Sequence, residues 1–223
     1  MTEIKEIKFN CKFDCIVCLN SNLPSKTFFS KFQGVKLLAA DGAAIRLCKK
    51  GIIADFVIGD LDSFNQSDLK NDFGQEKIIY NSSQETNDFQ KVLDFALKKG
   101  YKNALVVGFQ GGELEHTLNN WNVLLKYTKL LNLCVYDKNR YAIPLEGAYK
   151  LNCKKNEIIS LIAHKQAIVT TRNLKWELHN ELLEFAGRDA VRNRAIADFI
   201  ILEIKKGSIL LFFDARIPFA PKK

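Results

Sequence analysis

The pattern of apolar residues predicts an α/β fold: a mostly parallel, three-layer N-terminal domain followed by an antiparallel β-sandwich domain. Two textures carry this prediction. Up to about residue 137, short apolar runs alternate with amphipathic segments of helix length, as expected for parallel strands covered by helices on both faces. From Tyr141 onward the runs are short, β-branched and aromatic, and only turn formers separate them, which suits an antiparallel sandwich. A chain of 223 residues that is 47% hydrophobic can build either one large core or two modest ones. The change of texture decides for two, with a boundary near 138 to 146 and domains at 1–140 and 141–223.

Taken in order, "CIVCLN" is the first strand, and "VKLLAA" is a second that runs into the helix "DGAAIRLCKKG". "DFVIGD" then precedes a polar turn, and "KIIY" precedes the helical segment "QETNDFQKVLDFALKKG". In that segment Phe89, Val92, Leu93, Phe95 and Ala96 form the apolar face. Gln84, Asp88 and Lys91, spaced by four and three, are expected on one polar face near its start. "ALVVG" precedes the helix "HTLNNWNVLLKYTKL", and "NLCVYD" closes the series. In the second half the strands read as "YAIPLEG", "EIISLIAH", "AIVTT", "LKWEL", "AIADFIILEIKKG" and "SILLFF".

Composition excludes several classes. No apolar run approaches the roughly 18 residues of a membrane span, and the opening "MTEIKEIKFN" lacks a signal-peptide core, so a cytoplasmic protein with no membrane partner is expected. The net charge of +8 suits an anionic ligand. Its lysines are scattered and no aromatic-basic motif accompanies them, so no nucleic-acid partner is expected. Six scattered cysteines include the pair "CIVC", but on a strand Cys15 and Cys18 face opposite sides, and both are read as buried thiols.

Against that basic background, "DFVIGDLDS" places three aspartates in nine positions. Asp60 and Asp62 would lie at the carboxyl edge of a strand, close enough to repel unless a cation or other partner compensates. Asp41 ends the preceding strand and heads a helix, where capping alone could also explain it. Gly108, Gly111 and Gly112 permit a tight turn before Glu115 and His116, and a helix-start role would account for His116 by itself. Parallel strand ends collect on one side of a sheet. Asp41, Asp60, Asp62, Asp88 and Glu115 are therefore expected in one crevice. Oxygen donors in such number favour Mg²⁺, bound jointly with substrate phosphates, and so metal-assisted phosphoryl chemistry. There is no GxxxxGK[ST] loop, GxGxxG after the first strand, kinase motif set or nucleophile elbow. A Mg²⁺-dependent phosphohydrolase and a noncatalytic basic binding module remain as alternatives.

"AADGAAIRL", "DFVIGDLDS", "QETNDFQKVL", "GFQGGELEHTLNN" and "TTRNLKWEL" resemble, in order and spacing, the motifs of the thiamine pyrophosphokinases. The resemblance runs over roughly 15 to 213. It implies an ATP-dependent transfer of a pyrophosphoryl group to the thiamine hydroxyl, with release of AMP. It also implies a homodimer whose active sites lie near the interface. Asp60, Asp62 and Asp88 are then the Mg²⁺ ligands and, with Gln84, the catalytic set. Asp41, Ser63, Asn87, Lys91, Glu115, His116, Trp176, Arg192 and Asn193 become the binding set, with Trp176 as the wall on which thiamine rests. Core packing is the other reading of Trp176, because Leu174, Trp176 and Leu178 would share one strand face.

Three positions depart from the family pattern. "GGELEH" stands where GGRxDH is common, so Glu113 replaces an arginine and Glu115 an aspartate. Arg192 precedes Asn193 where a serine is usual. Arginine beside a cationic thiazolium would be unfavourable, whereas it could reach ATP phosphates.

Overall fold

The structure, a computed structural model, describes residues 3–65 and 73–223. Part of the polar stretch expected after the "DFVIGD" strand, residues 66–72, lies outside the described residues. The elements in chain order are β1 (Lys5–Lys12), β2 (Cys15–Cys18), α1 (Lys26–Phe29), β3 (Lys36–Ala40), α2 (Ala43–Cys48), β4 (Phe56–Gly59) and α3 (Asp62–Asn65). They continue with β5 (Ile78–Tyr80), α4 (Asp88–Lys98), β6 (Asn103–Val107), α5 (Leu114–Tyr127) and β7 (Asn132–Asp137). The remainder is all strand: β8 (Arg140–Asn152), β9 (Ile158–Arg172), β10 (Glu181–Glu184), β11 (Ala190–Arg194), β12 (Phe199–Asp214) and β13 (Phe219–Lys222). The result is an α/β fold with mixed parallel and antiparallel pairing. No helix among the described residues is long and apolar enough to cross a membrane.

The chain divides into two compact units, one of Lys12–Asp137 and one of Lys138–Lys223 together with the N-terminal segment up to Cys11. In the first unit six strands pair in the order β7-β6-β2-β3-β4-β5, every pair parallel. β2 lies between β3 and β6, with Cys15 opposite both Lys36 and Ala104. All four residues of β2 are fully buried, as a central strand covered on both faces requires. The chain builds outward from β2 through β3, β4 and β5, then returns to place β6 on the other side. The strand order therefore reverses between β2 and β6, where open parallel sheets form their ligand crevice.

Helix α4 shows why its sequence folds as it does. Asn87 accepts a hydrogen bond from the Gln90 backbone N–H at 2.9 Å, and the Gln90 side chain accepts from the Asn87 N–H, a reciprocal cap. Phe89, Val92, Leu93, Phe95 and Ala96 are buried, the face expected from the sequence. The expected polar face differs. The helix begins at Asp88, so Gln84 sits four residues before it in an exposed bend and shares no helical face with Asp88. A competent cap at Asn87 fixes that start.

In the second unit the order β10-β9-β12-β8 is antiparallel, β1 lies parallel to β8, β13 pairs with β1, and β11 pairs with β9. The N-terminal strand thus belongs to this unit rather than to a domain spanning 1–140. Most of its residues are charged or polar, yet Ile7 lies opposite Leu151 and is 1% exposed. "EIISLIAH" and "AIVTT" form one strand, β9, and "FIILEIKKG" and "SILLFF" form another, β12. The register between them slips around Gly207, whose φ of 77° and Cβ position, 2.0 Å from the Gln166 carbonyl oxygen, admit only glycine. "LKWEL" is no strand; an isolated bridge from Leu174 to Ala195 anchors it.

Candidate active site

Three of the expected carboxylates meet. Asp41 follows β3, Asp60 follows β4 and Asp88 opens α4, and one oxygen from each lies within 4.8 Å of the others. Each local fold contributes. Asp41 has φ 34°, a left-handed conformation that aspartate tolerates. Its two carboxylate oxygens accept the backbone N–H groups of Phe64 and Ser63, at 3.0 and 3.1 Å, and so hold the first turn of α3 against the strand end. Gly59 ends β4 between two of the acids. A Cβ there would stand 3.0 Å from the Asp41 Cβ and 3.1 Å from Asp88 Oδ1.

Lys91, one turn along α4, completes the group. Its Nζ donates to Asp88 Oδ1 at 3.2 Å and to Asp60 Oδ2 at 3.4 Å, and its side chain is 2% exposed. Burial pulls the Lys91 ammonium down, but the hydrogen bond and charge of Asp88, reinforced by Asp60, outweigh it and hold the group above the ordinary lysine range. Asp88 is displaced upward chiefly by burial, with the Asp60 and Asp41 charges adding and Lys91 opposing. Three carboxylates with no sulfur or imidazole among them form a donor set suited to a hard divalent cation such as Mg²⁺.

A cavity of about 410 Å³ adjoins the group at the switch point. It is lined by Leu19, Asn20 and Ser21 after β2, by Asn87 and Asp88 at the head of α4, and by Gly108, Phe109 and Gly112 after β6. Asn20 and Ser21 were not singled out in the sequence, although a polar run directly after an apolar strand is the signal that would have found them. Their side chains are engaged locally: Arg46 donates to Asn20 at 2.6 Å, and Ser21 donates to the Gln110 carbonyl at 2.6 Å. A second cavity, of about 630 Å³, reaches Lys91 from the β5 side, past Tyr80, Asn81 and Ser82.

Other expected site residues are placed differently. Asp62 opens α3, exposed, outside the carboxylate group. Glu115 is exposed and does not line the cavity, whereas Glu113 and His116 do, paired at 3.2 Å. The expected convergence of five carboxylates is therefore one of three. Glu115 lies in the first turn of α5 two residues past the residue that faces the cavity, so helical rotation turns it away. Ser63 meets Asp41 through its backbone, and its side chain is exposed.

In the second unit Asn193 is buried at 4% exposure. It brackets the Trp176 backbone, accepting from its N–H at 3.2 Å and donating to its carbonyl at 2.6 Å. Trp176 is 56% exposed while Leu174 and Leu178 are buried, so the three do not share a strand face, and core packing is not the role of this ring. The Lys175 ammonium lies 4.7 Å from the ring centroid. Arg192, at φ 61°, is held by its N–H to Ser160 Oγ at 2.9 Å and leaves its side chain exposed.

Fold and site together define a class: an open parallel α/β protein whose strand-end carboxylates are gathered for a hard cation beside the switch-point crevice. Residues 33–135 match the family model described as thiamin pyrophosphokinase, catalytic domain. The chain is 25% identical over 193 residues to thiamin pyrophosphokinase 1 of Caenorhabditis elegans, covering 78% of this chain and 76% of that protein. It is 26% identical over 223 residues to thiamine pyrophosphokinase 2 of Arabidopsis thaliana, covering 84% and 81%. The solved structure of thiamin pyrophosphokinase from Candida albicans is similar in fold, with a TM-score of 0.79 at 17% identity over 95% of this chain and 93% of that one. The similarity to thiamine pyrophosphokinases thus covers the segment that carries Asp41, Asp60 and Asp88.

Proposed function

We propose that the protein transfers a pyrophosphoryl group from ATP to the hydroxyl of thiamine, giving thiamine diphosphate and AMP. The observation that carries this reading is the meeting of Asp41, Asp60 and Asp88 beside the switch-point cavity, within the residues that match the thiamin pyrophosphokinase catalytic domain. Asp60 and Asp88, grouped with Asp41, would hold Mg²⁺, and exposed Asp62 would offer a further carboxylate to the metal or its waters. When bound, the metal neutralises charge on the phosphate oxygens. The thiamine oxygen attacks the β-phosphorus, the bond from that phosphorus to the α-phosphate oxygen breaks, and the electron pair leaves with AMP. The hydroxyl proton passes late in transfer to a carboxylate oxygen of Asp88 that does not face the metal. Asn87, His116 and Gln84 flank the polyphosphate.

The unit of antiparallel strands is the β-sandwich that takes thiamine, with exposed Trp176 as its wall and Asn193 fixing the loop that carries it. Arg192 supplies a guanidinium for phosphate in place of the arginine that Glu113 replaces. The protein works as a homodimer with two equivalent sites. Incubating the purified chain with thiamine, ATP and Mg²⁺ and identifying the products by mass tests the reaction. Thiamine diphosphate with an equal amount of AMP is expected; inorganic phosphate with unmodified thiamine would instead make the protein a phosphohydrolase. Fully active material of about 25 kDa in light scattering would overturn the dimer.

A further inference from the structure

We propose that Lys91 is an internal counter-cation that keeps the carboxylate centre weak for a divalent metal until a polyphosphate arrives, so that metal and nucleotide bind cooperatively. The inference rests on the reading of Asp41, Asp60 and Asp88 as the metal centre. Lys91 comes from α4 with its side chain almost wholly buried, and among the described residues its polar contacts are the carboxylate oxygens of Asp60 and Asp88, at 3.4 and 3.2 Å. Asp41 is engaged differently, by the N–H groups of Ser63 and Phe64. Asp60 accepts one longer backbone bond, from the Asp62 N–H at 3.5 Å, so Lys91 is the charged donor that these two acids share. Without Lys91, three carboxylates would share one small volume uncompensated.

Three carboxylates and one ammonium carry two net negative charges, as many as a divalent cation carries positive. A metal entering the group must nevertheless share the same oxygens with Lys91 and lie within a few ångströms of its charge, a repulsion that partial burial strengthens. A buried ammonium cannot simply turn to water. Phosphate oxygens offer it new charged acceptors, and its long stem lets it swing to them. Nucleotide therefore relieves Lys91 of the carboxylates and the metal takes its place, which is a coupling between two ligands and by necessity reciprocal.

The test is Mn²⁺ binding at equilibrium, by titration calorimetry or the loss of the free-ion EPR signal, with and without a nonhydrolysable ATP analogue. Wild type is compared with Lys91→Met and Asp88→Asn. Lys91→Met is expected to bind Mn²⁺ about tenfold more tightly than wild type when nucleotide is absent, because one unit of nearby positive charge is gone. The enhancement that the analogue gives wild type should shrink in the variant. Unchanged or weaker Mn²⁺ binding by Lys91→Met, with wild-type binding still lost in Asp88→Asn, overturns the role of Lys91 and leaves the metal centre standing. Wild-type affinity in Asp88→Asn overturns the metal centre and the inference with it. If Lys91→Met is too unstable to titrate, its melting temperature and that of Lys91→Gln should rise more on adding Mn²⁺ than wild type does, and an equal or smaller rise refutes the proposal.

Discussion

Gly59 shows how much of the site depends on one missing atom. The strand end passes between Asp41 and Asp88 at a separation that leaves no room for a methyl group. Gly59→Ala should push one or both carboxylates aside by a few tenths of an ångström and, at φ 158°, add some backbone strain at the end of β4 without unfolding the sheet. A misplacement of about 1 Å in a positioned active site can cost about a hundredfold in rate, so a few tenths should cost up to about tenfold. Turnover of Gly59→Ala measured with its melting temperature checks this: activity should fall far more than stability, and near-normal turnover would show that the carboxylates are not positioned tightly. Asp41 carries two duties at the same point, since it accepts from the α3 turn and also belongs to the carboxylate group.

At the scale of elements, α4 is the piece that brings charge to the strand ends. Its start is fixed by the Asn87 cap, which sets the register of Asp88 and Lys91 toward Asp60. Asn87→Ala removes an acceptor for the Gln90 N–H and should cost about 1 kcal/mol, a typical loss for a cap. Urea denaturation reads that change in midpoint, and because the capped turn carries Asp88, activity should decline with it. The same helix meets α5 through the Tyr127 hydroxyl, which donates to Asp94 at 2.8 Å. Burial first, and then the Asp94 bond and charge, hold the Tyr127 phenol up to about 12. A folded-state value above the unfolded one, near 10, means that the folded protein holds this proton more tightly. The stabilisation is fully present below pH 10 and is lost as pH rises from 10 to 12. Tyr127→Phe should therefore lose stability less steeply across that window, as judged by denaturant midpoints at successive pH values, and parallel curves for the two proteins would contradict the assignment.

Across the whole molecule, the unit that contains β8 to β13 is held by a buried charge as well as by apolar packing. The Glu157 side chain is fully buried and accepts from the Asp214 and Lys154 N–H groups and from the Arg216 guanidinium, at 2.7 to 3.0 Å. Arg216 in turn lies 5.9 Å from the ring centroids of Phe9 and Phe213. The network thereby joins the β8–β9 turn, the end of β12 and the N-terminal strand. Glu157→Gln keeps the shape but weakens charged hydrogen bonds, and should destabilise by about 1.5 to 3 kcal/mol. Thermal and urea unfolding should both report the loss, whereas a midpoint equal to wild type would mean that Arg216 finds other acceptors.

Local sequence determined much of this protein. The period of apolar residues marked β2 to β7 and the helices α2, α4 and α5, though not the short α1 and α3, because a strand or helix that buries one face must repeat its apolar residues at its own period. "GDLDS" marked the strand end where Asp60 lies, because a polar run straight after a buried strand faces the sheet edge, and "QETNDFQKVL" marked the start of the helix that Asp88 opens. The partners of those groups were decided by the tertiary structure. Asp41 displaced Asp62 from the carboxylate group because the α3 turn folds back onto Asp41, a contact across 22 residues that no local pattern records. Lys91 joined Asp60 across 31 residues for the same reason. β9 and β12 look like two strands each because the polar residues around Lys165 and Gly207 resemble turns, and only their pairing with each other carries the chain through a bulge without ending the sheet. The charged N-terminal strand found its place by the same means: one buried residue, Ile7, is too weak a signal until β8 lies beside it to complete its hydrogen bonds.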